Sequence, residues 1–212
     1  MAKYEKGILG SFSGKVGTVV GSTWRGIEVM KAKSKKSNHK PTPKQAEQRA
    51  RFNFMISFIT PLAALIDIAY KSTAKEMTEV NDAFSYNYKN ALTGQAPALA
   101  LDYEKVLVTK GHLLAPAAAG AEAAGNGMIK FSWADNSGQA QSNASDKAVL
   151  VAYCPELKRA VWLTGGPART STNASLDAGV FSGRKVQTWL SFMTEDQSDA
   201  SLSVYTGEIT IS

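Results

Sequence analysis

"GMIKFSWADNSG", residues 127–138, sets Ile129, Phe131 and Trp133 on one side of an alternating run and Lys130, Ser132 and Ala134 on the other. It then closes in Asp, Asn, Ser and Gly. Strict alternation ended by turn formers is the pattern of a strand with one face in a core. The pattern recurs in "YEKVLVTKG" (103–111), "DKAVLVAYCPELKRAVWLTGG" (146–166), "NASLDAGVFSGRKVQTWLSFMTEDQSD" (173–199) and "ASLSVYTGEITIS" (200–212). Val149, Val151 and Tyr153 alternate on one of these strands, and Val186, Thr188, Leu190 and Phe192 on another. Short strands at this spacing, with Gly, Pro, Asn, Asp and Ser between them, predict an antiparallel β-sandwich after residue 100. "APAAAGAEAAGNG" (115–127) reads as a long flexible loop between its first two strands.

Upstream the period changes to that of helices. In "PTPKQAEQRARFNFMISFITPLAALIDIAY" (41–70), Thr42 is placed as N-cap, Pro43 at the first helical position and Gln45 for a capping box. Phe54, Met55, Phe58, Ile59, Leu62, Leu65, Ile66 and Ala69 form one apolar seam. Pro61 is expected to kink or break the helix, because it removes a backbone bond and disfavours helical geometry at Thr60. A second helix is predicted from Thr73, with Glu76 completing a capping box. It buries Met77, Val80, Phe84, Tyr88 and Ala91 and stops at Gly94. With a small β-meander over residues 8 to about 32, the fold class is α+β: meander, two helices, antiparallel sandwich. The sandwich pattern resembles that of fibronectin type III and immunoglobulin-like domains, with "IKFSW" placed like an early core strand carrying its tryptophan. Gly94 and Pro97 interrupt both periods, so the expected units are 1–96 and 97–212.

The meander carries five glycines in "GSFSGKVGTVVGSTWRG" (10–26). A P-loop needs GxxxxGK followed by Ser or Thr; here Gly14-Lys15 is followed by Val16, and Leu9 stands where the first glycine belongs. A dinucleotide GxGxxG is absent as well. A continuous strand Lys15–Thr23 would put Gly17 and Gly21 on one face, where glycine lets another backbone come close. Phe12, Gly14, Lys15, Gly17, Gly21, Trp24, Arg25 and Gly26 are therefore the candidate interface.

Charge is segregated. Residues 1–60 hold twelve Lys/Arg against Glu5, Glu28 and Glu47, a net +9, and the remainder is −3. The densest run, 31–51, carries Lys31, Lys33, Lys35, Lys36, Lys40, Lys44, Arg49 and Arg51 against Glu47 alone. Such a run suits nucleic-acid phosphates or an acidic partner surface.

Chemistry of other kinds finds little to use. Cys154 is the single cysteine, so no internal disulfide and no thiolate cluster is possible. His39 and His112 are read as surface residues, and no metal or other cofactor is expected. There is no Gly-x-Ser-x-Gly elbow, and Glu195, Asp196 and Asp199 read as turn carboxylates. A non-enzyme without a small-molecule substrate is the expectation. The opening "MAKYEKGILGSFSGK" lacks a secretory apolar core, which places the protein in the cytoplasm or a virion. "FNFMISFITPLAALI" (52–66) is too short and too polar for a membrane span and reads as a core helix.

"GILGSFSGKVGTVVGSTWRGIEVMKAKSKKSNHKPTPKQAEQRARF" (7–52) resembles the head of an uncharacterised family of roughly 200-residue Bacteroidota proteins. Its signature is FSGKVG, W-[KR]-G, T-P-x-Q and R-A-[RK]-F; "SNHKPTP" departs from the family's usual Asn-Pro-x-Thr run. The segment is also similar to pieces of phage and prophage structural proteins. That resemblance implies a structural component of a phage-like particle, a homo-oligomer or a subunit among others. Two alternatives stand beside it. One is a nucleic-acid-binding module using 31–51, with Trp24 or Phe12 stacking on bases; the other is a surface adhesion module built on the sandwich.

Overall fold

The computed structural model describes residues 2–3, 12–24, 26–35, 40–74 and 77–212. Arg25, Lys36, His39, Glu76 and the first residues expected of the meander lie outside them. The chain divides into two compact units, Met1–Thr42 and Pro43–Ser212.

The first unit is a four-stranded antiparallel sheet of β1 (Ala2–Lys3), β2 (Gly14–Val16), β3 (Val19–Trp24) and β4 (Ile27–Ala32), in the order β1-β4-β3-β2. The expected continuous strand Lys15–Thr23 is instead a hairpin: Val16 pairs with Val19, and Gly17-Thr18 form the two-residue loop. Gly17 takes φ +59°, at the first loop position, where type II′ hairpins use glycine. No atom lies within 4 Å of where its Cβ would stand, so a turn, not a close approach, explains this glycine. Gly21 does accommodate a close approach, by the same chain: a Cβ there would overlap the Phe12 carbonyl oxygen and come within 2.7 Å of its ring.

The second unit begins with α1 (Pro43–Ile59), a 3₁₀ turn at Thr60–Leu62 and α2 (Ala63–Ala69). Pro61 thus breaks the helix where expected. Met55, Phe58, Ile59, Leu62, Leu65, Ile66 and Ala69 are buried, while Phe54 is half-buried. Among the described residues, the helical run Pro43–Ala69 is long and apolar enough to cross a membrane; here its seam packs into the core of this unit. The next helix starts later than predicted. α3 spans Glu79–Asn90, and its N-cap is Thr78, whose hydroxyl accepts from the Asn81 N–H at 3.3 Å. Thr73 instead donates to the Tyr70 carbonyl and to Asp82. The buried seam is Ala83, Asn87 and Ala91; Val80, Phe84 and Tyr88 flank it, and Met77 is exposed.

Gly94 does not end that helix. It lies in a hairpin of β5 (Leu92–Gln95) and β6 (Ala98–Leu101), whose turn contains the cis bond Ala96-Pro97. The stretch read as a domain boundary is thus an element inside the second unit. After it, residues 103–111 run past α3 without entering a sheet, with Val106 and Val108 in the core.

Seven strands complete the sandwich. The "loop" 115–127 is an alanine-rich strand, β7 (Ala117–Gly125), followed by β8 (Met128–Ala134), β9 (Lys147–Cys154), β10 (Arg159–Leu163), β11 (Asn173–Asp177), β12 (Lys185–Met193) and β13 (Val204–Thr210). One sheet has the order β11-β8-β7 and the other β10-β9-β12-β13. Sequential strands therefore cross between sheets, as in Greek-key immunoglobulin-like and fibronectin type III-like domains. Ile129, Phe131 and Trp133 meet Leu150, Ala152, Leu190 and Phe192 in the sandwich interior. Val149, Val151 and Tyr153 do not face that interior. With Trp189 and Met193 they form the other side of the four-stranded sheet, which packs on α1, α2 and α3, with Phe58 edge-on to Tyr153 at 5.0 Å. The unit is thus three-layered, and the expected boundary near residue 96 is corrected to 42/43, because the helices spend their apolar seam on this sheet.

Candidate interaction site

Register sorts the N-terminal sheet into two faces. Gly14, Gly21 and Met30 lie in one cross-strand row, and Val16, Val19 and Ala32 in the next of the same face, which also carries Thr23 and Glu28. Lys15, Val20 and Lys31 form a row of the opposite face, continued by Ser22 with Val29 and by Trp24 with Ile27. Of the described side chains in this unit only Val29 is a buried hydrophobe. Val16 is 65% exposed, Trp24 49% and Met30 36%. On the first face Phe12 lies over Gly21, and Val19, Met30 and Ala32 border a groove of about 270 Å³ shared with Thr18 and Lys31. The sequence-predicted interface is therefore divided: Gly14 and Gly21 on one face, Lys15 and Trp24 on the other, Gly17 and Gly26 in turns.

The basic run does not form one element. Lys31 ends among the exposed residues of β4, Lys33 and Lys35 follow it, and Lys40 precedes α1; all four are exposed. The Lys33 N–H donates to the Thr18 carbonyl at 2.8 Å, carrying the ladder one step beyond Ala32. Lys44 and Arg49 are exposed on α1. Arg51, predicted to contact phosphate, is occupied within its own unit: its guanidinium donates to the Gly94 carbonyl at 3.0 Å and lies 5.5 Å from the Tyr88 ring centre. Beside it Phe52, half exposed, packs on Phe84, which stacks on Tyr88.

Three polar clusters in the second unit escaped the sequence reading. Arg169 and Asp146 are a buried ion pair at 3.0 Å. The guanidinium also donates to Asn136 Oδ1 and the Leu114 carbonyl and lies 3.9 Å above the Phe192 ring. Burial pulls its pKa below the ordinary arginine value, and the hydrogen bond and charge of Asp146 oppose that. Trp133 Nε1 donates to the Arg169 carbonyl at 2.6 Å. Asn87, fully buried, accepts from the Leu107 N–H and donates to the Leu107 carbonyl, both at 2.9 Å, fastening the strandless segment 103–111 to α3. The third cluster is Ser72, His112 and Asp199. The Ser72 hydroxyl donates to Asp199 Oδ1 at 2.6 Å and His112 Nδ1 lies 3.3 Å from Oδ2. Serine and histidine both address the carboxylate, so the three are not arranged as nucleophile, base and orienting acid. Burial raises the Asp199 carboxyl, but donors from Ser72, His112 and Ala200 outweigh it and hold the group below the usual range. Asp196, exposed in the β12–β13 turn, is held at about 2 by hydrogen bonds from Thr194 and Ser198. Among the described residues no group of three or more His, Cys, Asp or Glu side chains comes together to hold a metal ion. Nothing in the spacing of Asp146 and Arg169 signals their pairing; both sit in segments legible only as turns.

The fold defines an α+β protein in which a fibronectin type III-like sandwich carries a helical layer and follows a separate basic sheet. The chain belongs to the family of unknown function DUF6266, whose profile matches residues 11–207. No curated protein matches it. Among solved structures it is similar to the solution structure of the fn3 domain of human collagen alpha-1(XX) chain, at 12% identity and a TM-score of 0.33, over 47% of this chain and 88% of that one.

Proposed function

We propose that this protein is a structural assembly component, working through subunit contacts made by its N-terminal sheet. The observation that carries the reading is the imbalance of that sheet: four strands, one buried hydrophobe among the described residues, and Val16 and Met30 exposed on one face. A small sheet of this kind has too little core for independent stability. The face bearing Val16, Val19, Met30 and Ala32, with its groove, is the surface a second copy of the chain covers. Its described charged residues are Glu28 and, at the rim of the groove, Lys31, which are of opposite sign, so like-charge repulsion between copies is small there. A phage-like particle is the setting we infer for such an assembly, from the resemblance of residues 7–52. Sedimentation of the intact chain tests the reading. Self-association lost in the double variant Val16→Lys/Met30→Lys, with the circular dichroism of the second unit unchanged, supports it. A chain that stays monomeric at all concentrations contradicts it.

A further inference from the structure

The chain that leaves the N-terminal sheet carries a charge the fold does not use. Residues 1–42 hold nine Lys/Arg against Glu5 and Glu28, a net +7, and no acidic residue stands between Glu28 and Glu47. β4 ends at Ala32, the Lys33 N–H adds one more bond to the Thr18 carbonyl, and the side chains of Lys33, Lys35 and Lys40 are exposed. None of the three belongs to an ion pair of the described residues. The second unit treats its cations differently: from residue 101 to 212, seven of nine Lys/Arg pair with a carboxylate. Unpaired lysines close in sequence repel one another, so the run does nothing to hold the fold. Lys33 and Lys35 are at most about 7 Å apart along the chain, close enough for both to reach neighbouring phosphates of one backbone.

The composition of residues 33–42, "KSKKSNHKPT", selects among polyanions. It offers no aliphatic or large aromatic side chain to seat in a protein surface, and lysine is depleted from such interfaces. Nor does it hold the apolar anchor that a basic stretch needs beside it to stay on a membrane. Lysine, serine, threonine and asparagine are, by contrast, side chains that contact phosphate and sugar. With no Phe, Tyr or Trp in the run to stack on a base, its contacts go to the backbone, and a duplex presents the denser row of charges. We propose that Lys33, Lys35 and Lys40 bind the phosphate backbone of double-stranded nucleic acid without regard to sequence. This goes beyond the assembly role and does not rest on it, since none of the three is on the face assigned to the second copy.

The probe is a fluorescein-labelled DNA duplex, titrated with the intact chain over a salt series while its anisotropy is followed. Binding is expected at low salt, with a log–log slope of about −0.9 per phosphate contacted, so that three contacts alone weaken it roughly 40-fold between about 50 and 200 mM salt. The variant Lys33→Gln/Lys35→Gln/Lys40→Gln changes exposed side chains and keeps the Lys33 backbone bond; it should make the slope shallower by about 2.7. Duplexes of unrelated sequence should bind alike, and oligothymidylate more weakly. Sedimentation of the variant should match the parent, which separates failure here from failure of the assembly reading. The proposal is overturned by absence of duplex binding at low salt, or by binding whose salt slope the three substitutions leave unchanged. Polyglutamate bound as tightly as the duplex would assign the run to an acidic protein, and equal capture by vesicles of anionic phospholipid would assign it to a membrane; either result also overturns it.

Discussion

The two units solve the problem of a core in opposite ways. In residues 43–212 the four-stranded sheet is buried on both sides: Ala148, Leu150 and Ala152 of β9 enter the sandwich, while Val149, Val151 and Tyr153 enter the helical layer. Even its deepest charge, Arg169, has its partners inside. In residues 1–42 the strands are as regular, yet the sheet keeps Val16, Trp24 and Met30 exposed. Pairing of backbone alone does not stabilise a sheet in water, where strand and solvent compete for the same hydrogen bonds. One unit buries its apolar side chains within itself; the other keeps most of its described ones at the surface.

The sharpest way to break this contrast is to damage each core. Phe131→Ala, deep in the sandwich, should destabilise the second unit by about 3–5 kcal/mol. Arg169→Ala should cost a similar 3–5 kcal/mol, since it strands the Asp146 carboxylate without its buried counter-charge. Both are read from urea midpoints of the main transition. Val29→Ala in the first unit should leave that transition where it is. A large shift from Val29→Ala would mean that the units do not fold separately. Limited proteolysis gives the matching view: a resistant fragment should begin near residue 43, not near residue 100.

Smaller effects probe the fastenings of the second unit. Asn87→Ala removes both hydrogen bonds to Leu107 and leaves its N–H and carbonyl wanting partners, a loss of about 1–3 kcal/mol. It should raise hydrogen exchange across 103–111 first. Asp199 gives the smallest and most conditional effect. Its folded-state pKa lies below the unfolded one, so its contribution is fully present above the ordinary carboxylate value near 3.9 and disappears as pH falls through the folded value. The stability gap between the parent and Asp199→Asn should therefore be open at neutral pH and close in acid. A gap independent of pH would remove the carboxylate's charge from the explanation.

Much of this architecture is legible in the sequence wherever one periodicity rules. The seam of α1 and α2, the break at Pro61 and the inward set Ile129, Phe131, Trp133 all follow from spacing. Legibility fails where two surfaces compete for one strand. β9 is apolar on both sides, so "KAVLVAYC" has no alternation to say which residues face which layer. β7 fails for the opposite reason: "AAAGAEAAG" has side chains too small to show a pattern, yet Ala119 and Ala121 pack on the sandwich core. Gly17 was ambiguous because a turn glycine and a packing glycine read alike until the register of Val16 with Val19 is known. The candidate site was legible by composition, as lysines and an aromatic near glycines, and illegible in its division into two faces, since a two-residue loop resets which residues share a side.

In the proposed assembly the N-terminal sheet is completed by a second copy of the chain. Sedimentation velocity of the intact protein over a concentration series, beside Val16→Lys/Met30→Lys, tests that most directly. A concentration-dependent shift from monomer to larger species is expected in the parent, and monomer throughout in the variant, with identical melting of the second unit. Self-association that the variant retains in full, or a parent that never leaves the monomer, would contradict it.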